Sequence, residues 1–312
     1  MFTAQEIQTA RGTIQYRRES LTGIQCRISP VRLKRRLDAD VSMQYTADGC
    51  PFCPGKIDAA TPTFDGGFRI LHGESVTFPN LYPYSAVHTV TVITKAHTVD
   101  RFRKEQLSDA FLGMIESLRG SEGYQSINWN NLPSAGASLV HPHLQGIVDP
   151  VPSYLAGRYL AGSAAYLRKH NRVYWDDLRA RESGSDRFLF EDDEIFWSAS
   201  PVPLGEREVR GLLPIATLDE LEPYVDPLVS GLLTVIDLYR SLGTYAFNVA
   251  LFFDKPGHDR GYRAFCSVIS RINPNRLCIC DSAFMERLHQ EPVILTLPED
   301  LGRLFREGRT RS

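Results

Sequence analysis

The sequence predicts an α+β fold built from two tandem halves, each with several strands and one long helix. Two observations support this prediction. With 312 residues the chain is too long for most single hydrophobic cores. The order strand, long helix, strand, turn, strand also occurs twice along it. We therefore expect one half over residues 1–150 and the other over residues 151–312.

In the first half, the spacing of apolar residues predicts each element in turn. Residues 87–94 alternate apolar and polar side chains as a strand does, and residues 107–118 carry apolar side chains at helical spacing. Strands are expected near residues 124–130 and over residues 137–148, with a glycine-containing turn at residues 134–136 between them.

The second half repeats this order. A strand is expected over residues 206–213, followed by a helical pattern from Leu218 to Leu238. Pro223 and Pro227 confine the regular part of that helix to its later turns, because proline interrupts helical hydrogen bonding. Strands near residues 245–253 and 262–272 complete the copy, and the intervening residues 152–184 are expected to be irregular linker and helix.

The run from His141 to Gln145 carries the clearest chemical signal. On a strand, His141, His143 and Gln145 would share one face, which is costly to bury unless a metal or a reaction uses these groups. Cys50 and Cys53 have the CxxC spacing of half a tetrahedral zinc site, although two buried thiols are the plainer alternative. One imidazole can complete such a site, which leaves the other free as a nucleophile or general base.

Five short segments occur in an order and approximate spacing typical of one family. They are LTG followed by ISPVRLKR within residues 21–35, CPFC at 50–53, PNLYP at 79–83, ITKAH at 93–97, and NNLPSAGASLVHPHLQ at 130–145. In these segments the chain resembles the galactose-1-phosphate uridylyltransferase group of the histidine-triad superfamily. That group includes nucleotide-sugar phosphorylases and diadenosine tetraphosphate phosphorylases.

The resemblance implies two histidine-triad-like halves whose antiparallel sheets, with long helices on one face, join into an extended half-barrel. The first half would be catalytic and the second degenerate. One structural zinc ion per chain would be bound by Cys50, Cys53, His97 and His141. The catalytic residues would be His143, as nucleophile, and Gln145. The substrate-binding residues implied by the resemblance are Arg32, Arg35, Asn80, Asn130, Ser138 and Gln145.

This resemblance implies a nucleotidyltransferase that moves a nucleoside monophosphate from a nucleotide sugar to a sugar 1-phosphate through a nucleotidyl-histidine. Gln145 can hold a phosphate but cannot shuttle a proton as an imidazole does, so the intermediate should wait for a phosphate acceptor. A phosphorylase that uses inorganic phosphate on a nucleotide sugar or a dinucleoside polyphosphate is the alternative, and a non-catalytic nucleotide-binding protein is a further one. The residues do not distinguish a uracil pocket from an adenine pocket.

Composition narrows the remaining classes. The formal charge is −2 and no long basic block occurs, so no nucleic-acid partner is expected. No run of eighteen apolar residues occurs, so neither a membrane span nor a signal peptide is expected. Six cysteines, two of them in a CxxC, fit a reducing compartment, and the expected location is the cytoplasm. The resemblance also implies a homodimer, because family members place the substrate pocket between subunits.

Overall fold

The structure, a computed structural model, describes residues 1–34, 45–273 and 280–310. Its strands, in chain order, are β1 Phe2–Thr9, β2 Gly12–Glu19, β3 Gln25–Ile28, β4 Ile70–His72, β5 Ser75–Pro79, β6 Val87–Val92, β7 Tyr124–Asn131, β8 His143–Asp149, β9 Phe188–Asp192, β10 Ile195–Ala199, β11 Val209–Leu212, β12 Ala246–Phe252, β13 Phe265–Arg271 and β14 Val293–Ile294. Its helices are α1 Ile57–Ala60, α2 Lys104–Leu118, α3 Tyr154–His170, α4 Tyr174–Glu182, α5 Val225–Ser241, α6 Phe284–Leu288 and α7 Pro298–Thr310.

Ten strands form one sheet, in the order β4-β5-β6-β8-β7-β12-β13-β11-β10-β9. Every neighbouring pair in this sheet is antiparallel. The second five positions mirror the first five about the centre of the sheet. Strands β4, β5, β6, β7 and β8 therefore correspond in turn to β9, β10, β11, β12 and β13. The two copies meet where β7 pairs with β12. The predicted α+β fold of two tandem halves with antiparallel sheets is therefore confirmed.

Helices α2 and α5 lie on one face of this sheet and contact each other. Helix α2 packs on β4, β5, β6 and β8, and α5 packs on β9, β10, β11 and β13. The apolar side of α2, which includes the fully buried Leu107, Phe111 and Met114, forms part of the main hydrophobic core. This face supplies the core of both halves, and the functional candidates described below lie on the opposite face.

The opposite face of the second half is covered by α3 and α4. Phe265 and Cys266 are neighbours in β13 and therefore point to opposite faces. Cys266 is in register with Gly211, and Trp197 packs between Gly211 and α5, so Cys266 lies on the α5 face. Phe265 lies on the other face, where it stacks on Trp175 of α4 with ring centroids 5.2 Å apart. In the first half the same face, called the open face below, carries the segment around Cys50 and Phe52, which packs on Phe78, Val90 and Val92.

The structure corrects one prediction. The strand expected over residues 137–148 begins only at His143, because residues 133–135 form a 3-10 turn and residues 137–142 continue as irregular chain. Residues 152–184, where irregular linker and helix were expected, contain α3 and α4, and helix makes up most of this segment.

A smaller sheet, in the order β1-β2-β3-β14, lies outside the ten-stranded sheet. Its strand β14 pairs in parallel with β3, so strand pairing crosses the boundary predicted at residue 150. That boundary stays a prediction. No helix in the described part of the chain is both long and apolar enough to cross a membrane.

Candidate metal and catalytic site

Two cysteines and two histidines meet beside the open face of the first half. The Sγ atom of Cys50 is 3.6 Å from Nδ1 of His141, and the Sγ atom of Cys53 is 3.6 Å from Nδ1 of His97 and 3.7 Å from Nδ1 of His141. All four ligand atoms lie within 4.8 Å of one another. Zn–S and Zn–N bonds of about 2.3 and 2.0 Å at tetrahedral angles separate sulfur and nitrogen by about 3.5 Å. The donor set and its spacing fit a zinc ion.

Hydrogen bonds behind the cluster fix the orientation of His141. Its Nε2–H donates to the carbonyl of Thr94 at 2.7 Å, which leaves the lone pair on Nδ1 directed at the cysteines. The Thr94 hydroxyl donates to Glu74 at 2.9 Å, and the backbone amide of Lys95 donates to the same carboxylate at 3.2 Å. Glu74 therefore holds the segment that leads to His97.

His143, the first residue of β8, is 5% exposed and lies beside this cluster. Its Nδ1–H donates to the carbonyl of His141 at 2.8 Å, so Nε2 keeps its lone pair. Burial lowers the pKa of His143, the hydrogen bond to the His141 carbonyl opposes this, and the nearby His141 ring lowers it further. The edge of Phe52 faces the ring at a centroid distance of 5.3 Å. His143 is therefore a neutral, oriented imidazole, as a nucleophile requires.

The predicted residues Gln145 and Asn80 are joined through a histidine of β6. Oε1 of Gln145 lies 3.0 Å from Nε2 of His88, and Nδ2 of Asn80 lies 3.0 Å from the same nitrogen. Burial lowers the pKa of His88, although the hydrogen bond to Gln145 opposes this shift. Nε2 of His88 cannot accept from Asn80 and donate to Gln145 at once, so these contacts hold the Gln145 side chain beside His88 without fixing which end of its amide faces the substrate side.

Asn130 approaches the same face from β7. Its neighbour Trp129 pairs with Leu144, which places Asn130 alongside His143 at the end of the β7–β8 ladder. Oδ1 of Asn130 accepts a hydrogen bond of 2.6 Å from Nδ2 of Asn248, which lies directly opposite it on β12. The structure thus brings Asn130, His143 and Gln145 together.

The other predicted substrate residues are arranged differently. Ser138 is exposed in the irregular segment before His141. Arg32 is exposed in a 3-10 turn and lines a cavity of about 580 Å³ together with Arg271 and Asp281. The lining of that cavity does not include His143, so within one chain Arg32 is not brought to the catalytic candidate. Arg35 lies outside the described residues.

Two residues at the site were not predicted to act there, namely His88 and Asn248. His88 is buried in contact with Gln145. The signal for this contact is the register of β6 with β8, in which Val90 faces Gln145 and His88 lies two residues away on the same side. The sequence pattern does not supply that register.

No protein-family model matches this chain. An uncharacterized protein of Archaeoglobus fulgidus is 28% identical to it over 281 residues, which are 86% of this chain and 84% of that protein. An ADP-glucose phosphorylase from Arabidopsis thaliana, solved with bound ADP-glucose, has a TM-score of 0.75 and 16% identity, covering 94% of this chain and 99% of that one. A uridylyltransferase structure has a TM-score of 0.71 and 20% identity, covering 95% and 98%.

At these identities the comparison with solved structures establishes the fold. The chain therefore has the same two-half fold as these two proteins. The fold expected from the resemblance to galactose-1-phosphate uridylyltransferase-like proteins is confirmed.

Proposed function

We propose that the protein is a nucleotidyltransferase that moves a nucleoside monophosphate from a nucleotide sugar to a sugar 1-phosphate, with His143 as the nucleophile. The observation that carries this proposal is the fixed imidazole of His143. Its Nδ1–H is bound by the His141 carbonyl, and Nε2 is left free on a face where Gln145 and Asn130 have amide groups to offer.

The geometry supports a two-step displacement. Nε2 of His143 attacks the α-phosphorus of the nucleotide sugar, and the bond from that phosphorus to the departing sugar phosphate breaks. The proton on Nδ1 stays in place, and the His141 carbonyl stabilises the positive ring of the nucleotidyl-histidine. A phosphate oxygen of the acceptor then attacks the same phosphorus and breaks the N–P bond. Amide donors from Gln145 and Asn130 would stabilise charge on the non-bridging oxygens in both steps.

A zinc ion held by Cys50, Cys53, His97 and His141 would act structurally in this scheme. Four protein ligands close the coordination shell, so its role would be to hold the segment in place. Because the carbonyl that fixes His143 belongs to His141, rigid placement of His141 also orients the nucleophile.

Phosphorolysis is the second candidate, with the same first step and inorganic phosphate as acceptor. The structural likeness to an ADP-glucose phosphorylase over nearly the whole of both chains favours it. Gln145 is compatible with either acceptor, since an amide holds a phosphate group without supplying a proton.

The decisive experiment looks for the covalent intermediate. The protein is incubated separately with UDP-glucose, ADP-glucose and GDP-mannose, denatured, and weighed by intact mass spectrometry. We expect one nucleoside monophosphate per chain from at least one donor, lost again when glucose 1-phosphate or inorganic phosphate is added. Ping-pong kinetics should accompany turnover.

The matched variants are His143→Ala and His72→Ala. His72 is a partly exposed histidine paired with Glu116 on the other side of the first half, so its replacement should leave the adduct unchanged. His143→Ala should abolish it. Turnover by His143→Ala, or rapid release of nucleoside monophosphate into water by the unmodified protein, would contradict the proposed mechanism. Nucleotide binding without any adduct or turnover would instead identify a binding protein.

A further inference from the structure

The second half lacks a nucleophile where the first half has one. His143 pairs with Val92, the last residue of β6, and Phe265 pairs with Leu212, the last residue of β11. Phe265 therefore occupies the position of His143 in the second copy. Strand β12 of this copy nevertheless pairs directly with β7, which carries Asn130. The second half therefore contacts the site through the pairing of β12 with β7.

The side-chain amide of Asn248 on β12 has only one chemically consistent orientation. One end lies 2.8 Å from the carbonyl oxygen of Ala135, which can only accept a hydrogen bond. The other end lies 2.9 Å from NH1 of Arg271, which can only donate. The NH₂ group of Asn248 must therefore face Ala135, and its oxygen must face Arg271. Asp281 fixes Arg271 in turn, through a hydrogen bond of 2.6 Å from Nε.

This orientation determines that of Asn130. The same NH₂ group of Asn248 lies 2.6 Å from the end of the Asn130 amide, so that end must be the oxygen. The NH₂ group of Asn130 then points away from β12. It cannot exchange places with the oxygen, because two NH₂ groups would then face each other. Asn130 is thereby restricted to presenting a donor.

We infer that Asn248, held by Arg271 and Asp281, is a positioning residue that fixes the Asn130 amide with its NH₂ group toward the substrate phosphate. The inference rests on the proposed function in assigning that phosphate to the open face. It gives the second half a part in the reaction. A donor that is already oriented stabilises developing charge on phosphate oxygens without having to rotate during the reaction.

The test compares Asn248→Asp, Asn248→Ala and a matched control. Asp has nearly the shape of Asn and can still accept from Arg271, but it presents an oxygen to Asn130, whose NH₂ group must then turn toward it. Alanine leaves the Asn130 amide free to rotate. The control is Asn131→Asp. Asn131 follows Asn130 on β7, and its side-chain NH₂ group donates to the Tyr245 carbonyl, apart from the contacts that join Asn130, Asn248 and Arg271.

For Asn248→Asp we expect kcat with the reactive nucleotide sugar to fall about tenfold to a hundredfold, with KM changed by less than about threefold, since a transition-state donor is withdrawn. Asn248→Ala should lose less activity than Asn248→Asp. Asn248→Asp also turns an oxygen toward the Ala135 carbonyl, so urea unfolding of each variant is measured alongside, and a loss of kcat that only follows the loss of stability would overturn the relay. If Asn248→Asp does not fold, Asn248→Ala still tests the relay, because a kcat equal to that of Asn131→Asp would overturn it.

A second measurement does not depend on turnover. In protein labelled with ¹⁵N-asparagine, the side-chain NH₂ signal of Asn130 is assigned by its loss in Asn130→Asp, and its exchange with water is measured. Fast exchange in the unmodified protein and slow exchange in Asn248→Asp would support the relay. Slow exchange in the unmodified protein, or a kcat for Asn248→Asp equal to that of Asn131→Asp, would overturn it. If no nucleotide sugar forms an adduct, the proposed function fails, and amide exchange still decides the orientation.

Discussion

Replacing Phe52 should weaken both the fold around the metal cluster and the placement of His143, the proposed nucleophile. Phe52 lies between the two cysteines and is 9% exposed. Its ring meets Phe78, His141 and His143 edge-on, with centroid distances of 5.7, 6.2 and 5.3 Å. Truncation of a buried phenylalanine to alanine costs about 3–5 kcal/mol. The surrounding cluster is small, so we expect Phe52→Ala to lower the free energy of unfolding by about 3 kcal/mol.

The same change should slow formation of the nucleotidyl-enzyme. Without the ring edge, His143 keeps its hydrogen bond to the His141 carbonyl but loses the packing that limits its rotation. We expect a rate loss of roughly tenfold, well below the roughly hundredfold cost of a displacement near 1 Å. Phe52→Leu keeps apolar volume and should recover stability to within about 1.5 kcal/mol of the unmodified protein. It should recover less of the rate, because the edge-on ring contact is gone.

The assay is urea unfolding at saturating zinc, combined with quenched-flow mass spectrometry of the adduct. Phe68→Ala is the matched control, since Phe68 is 53% exposed and its ring meets that of Phe64. It should change the free energy of unfolding by less than about 1 kcal/mol. If Phe52→Ala and Phe68→Ala lower the free energy of unfolding equally, Phe52 does not stabilise the metal cluster and His143 through its packing.

Two further predictions concern the metal cluster and the carboxylate behind it. Cys53→Ser should reduce bound zinc from about one per chain and lower the thermal midpoint of unfolding, because metal binding contributes to folding. Cys280→Ser, at an exposed position, should change neither quantity. Metal analysis and thermal unfolding of both variants test this, and equal zinc content in the two would contradict it. Burial opposes ionisation of Glu74, but hydrogen bonds from Gln106, Lys95 and neighbouring groups outweigh it and lower the pKa of Glu74 to about 2. Its folded pKa lies below the unfolded value, so the carboxylate stabilises the fold above about pH 4.5 and this contribution is lost as the pH falls toward 2. Glu74→Gln should therefore lower the free energy of unfolding at pH 7 by roughly 1–3 kcal/mol, and by less at pH 3.5. Urea unfolding of the metal-stripped proteins measures both values. A difference that does not change with pH would contradict the role given to the Glu74 carboxylate.

The elements that the sequence predicted well are those with a strong internal period. The pattern over residues 107–118 matches α2, and the regular part of the second predicted helix begins after Pro223, as the proline argument required, although Pro227 lies inside the first turn of α5. The start of β8 was misplaced by six residues. Alternation of side chains continues before His143, but Pro142 has no amide hydrogen for the ladder, and Gly136 ends a 3-10 turn in the left-handed region at φ 86°.

Half of the metal cluster carries its own signal in the sequence, because Cys50 and Cys53 are close together and chemically distinctive. The structure brings to them His97 and His141, the two further ligands that the resemblance implied. Asn248 has no such signal, since an isolated asparagine in a strand is chemically ordinary. Its role depends on which residue of β7 lies opposite, and that register is set by the packing of two distant segments. Positioning residues of this kind become visible only when the two halves are seen together.

Each half has a polar contact between two side chains at the corresponding place in the sheet. In the first half Val90 faces Gln145, and His88, two residues earlier, contacts Gln145 at 3.0 Å. In the second half Arg210 faces Ser267, and Glu208, two residues earlier, accepts a hydrogen bond from Ser267 at 2.7 Å.

The surroundings of the second contact differ from those of the first. Arg210 pairs with Glu208 and with Glu19, and all three side chains are almost completely buried. Trp175 covers the adjoining Phe265. Charges buried in this way are stabilised by one another and have no route to a ligand. Strand order is the same in both halves, so the location of the site follows from which sheet face the helices leave uncovered.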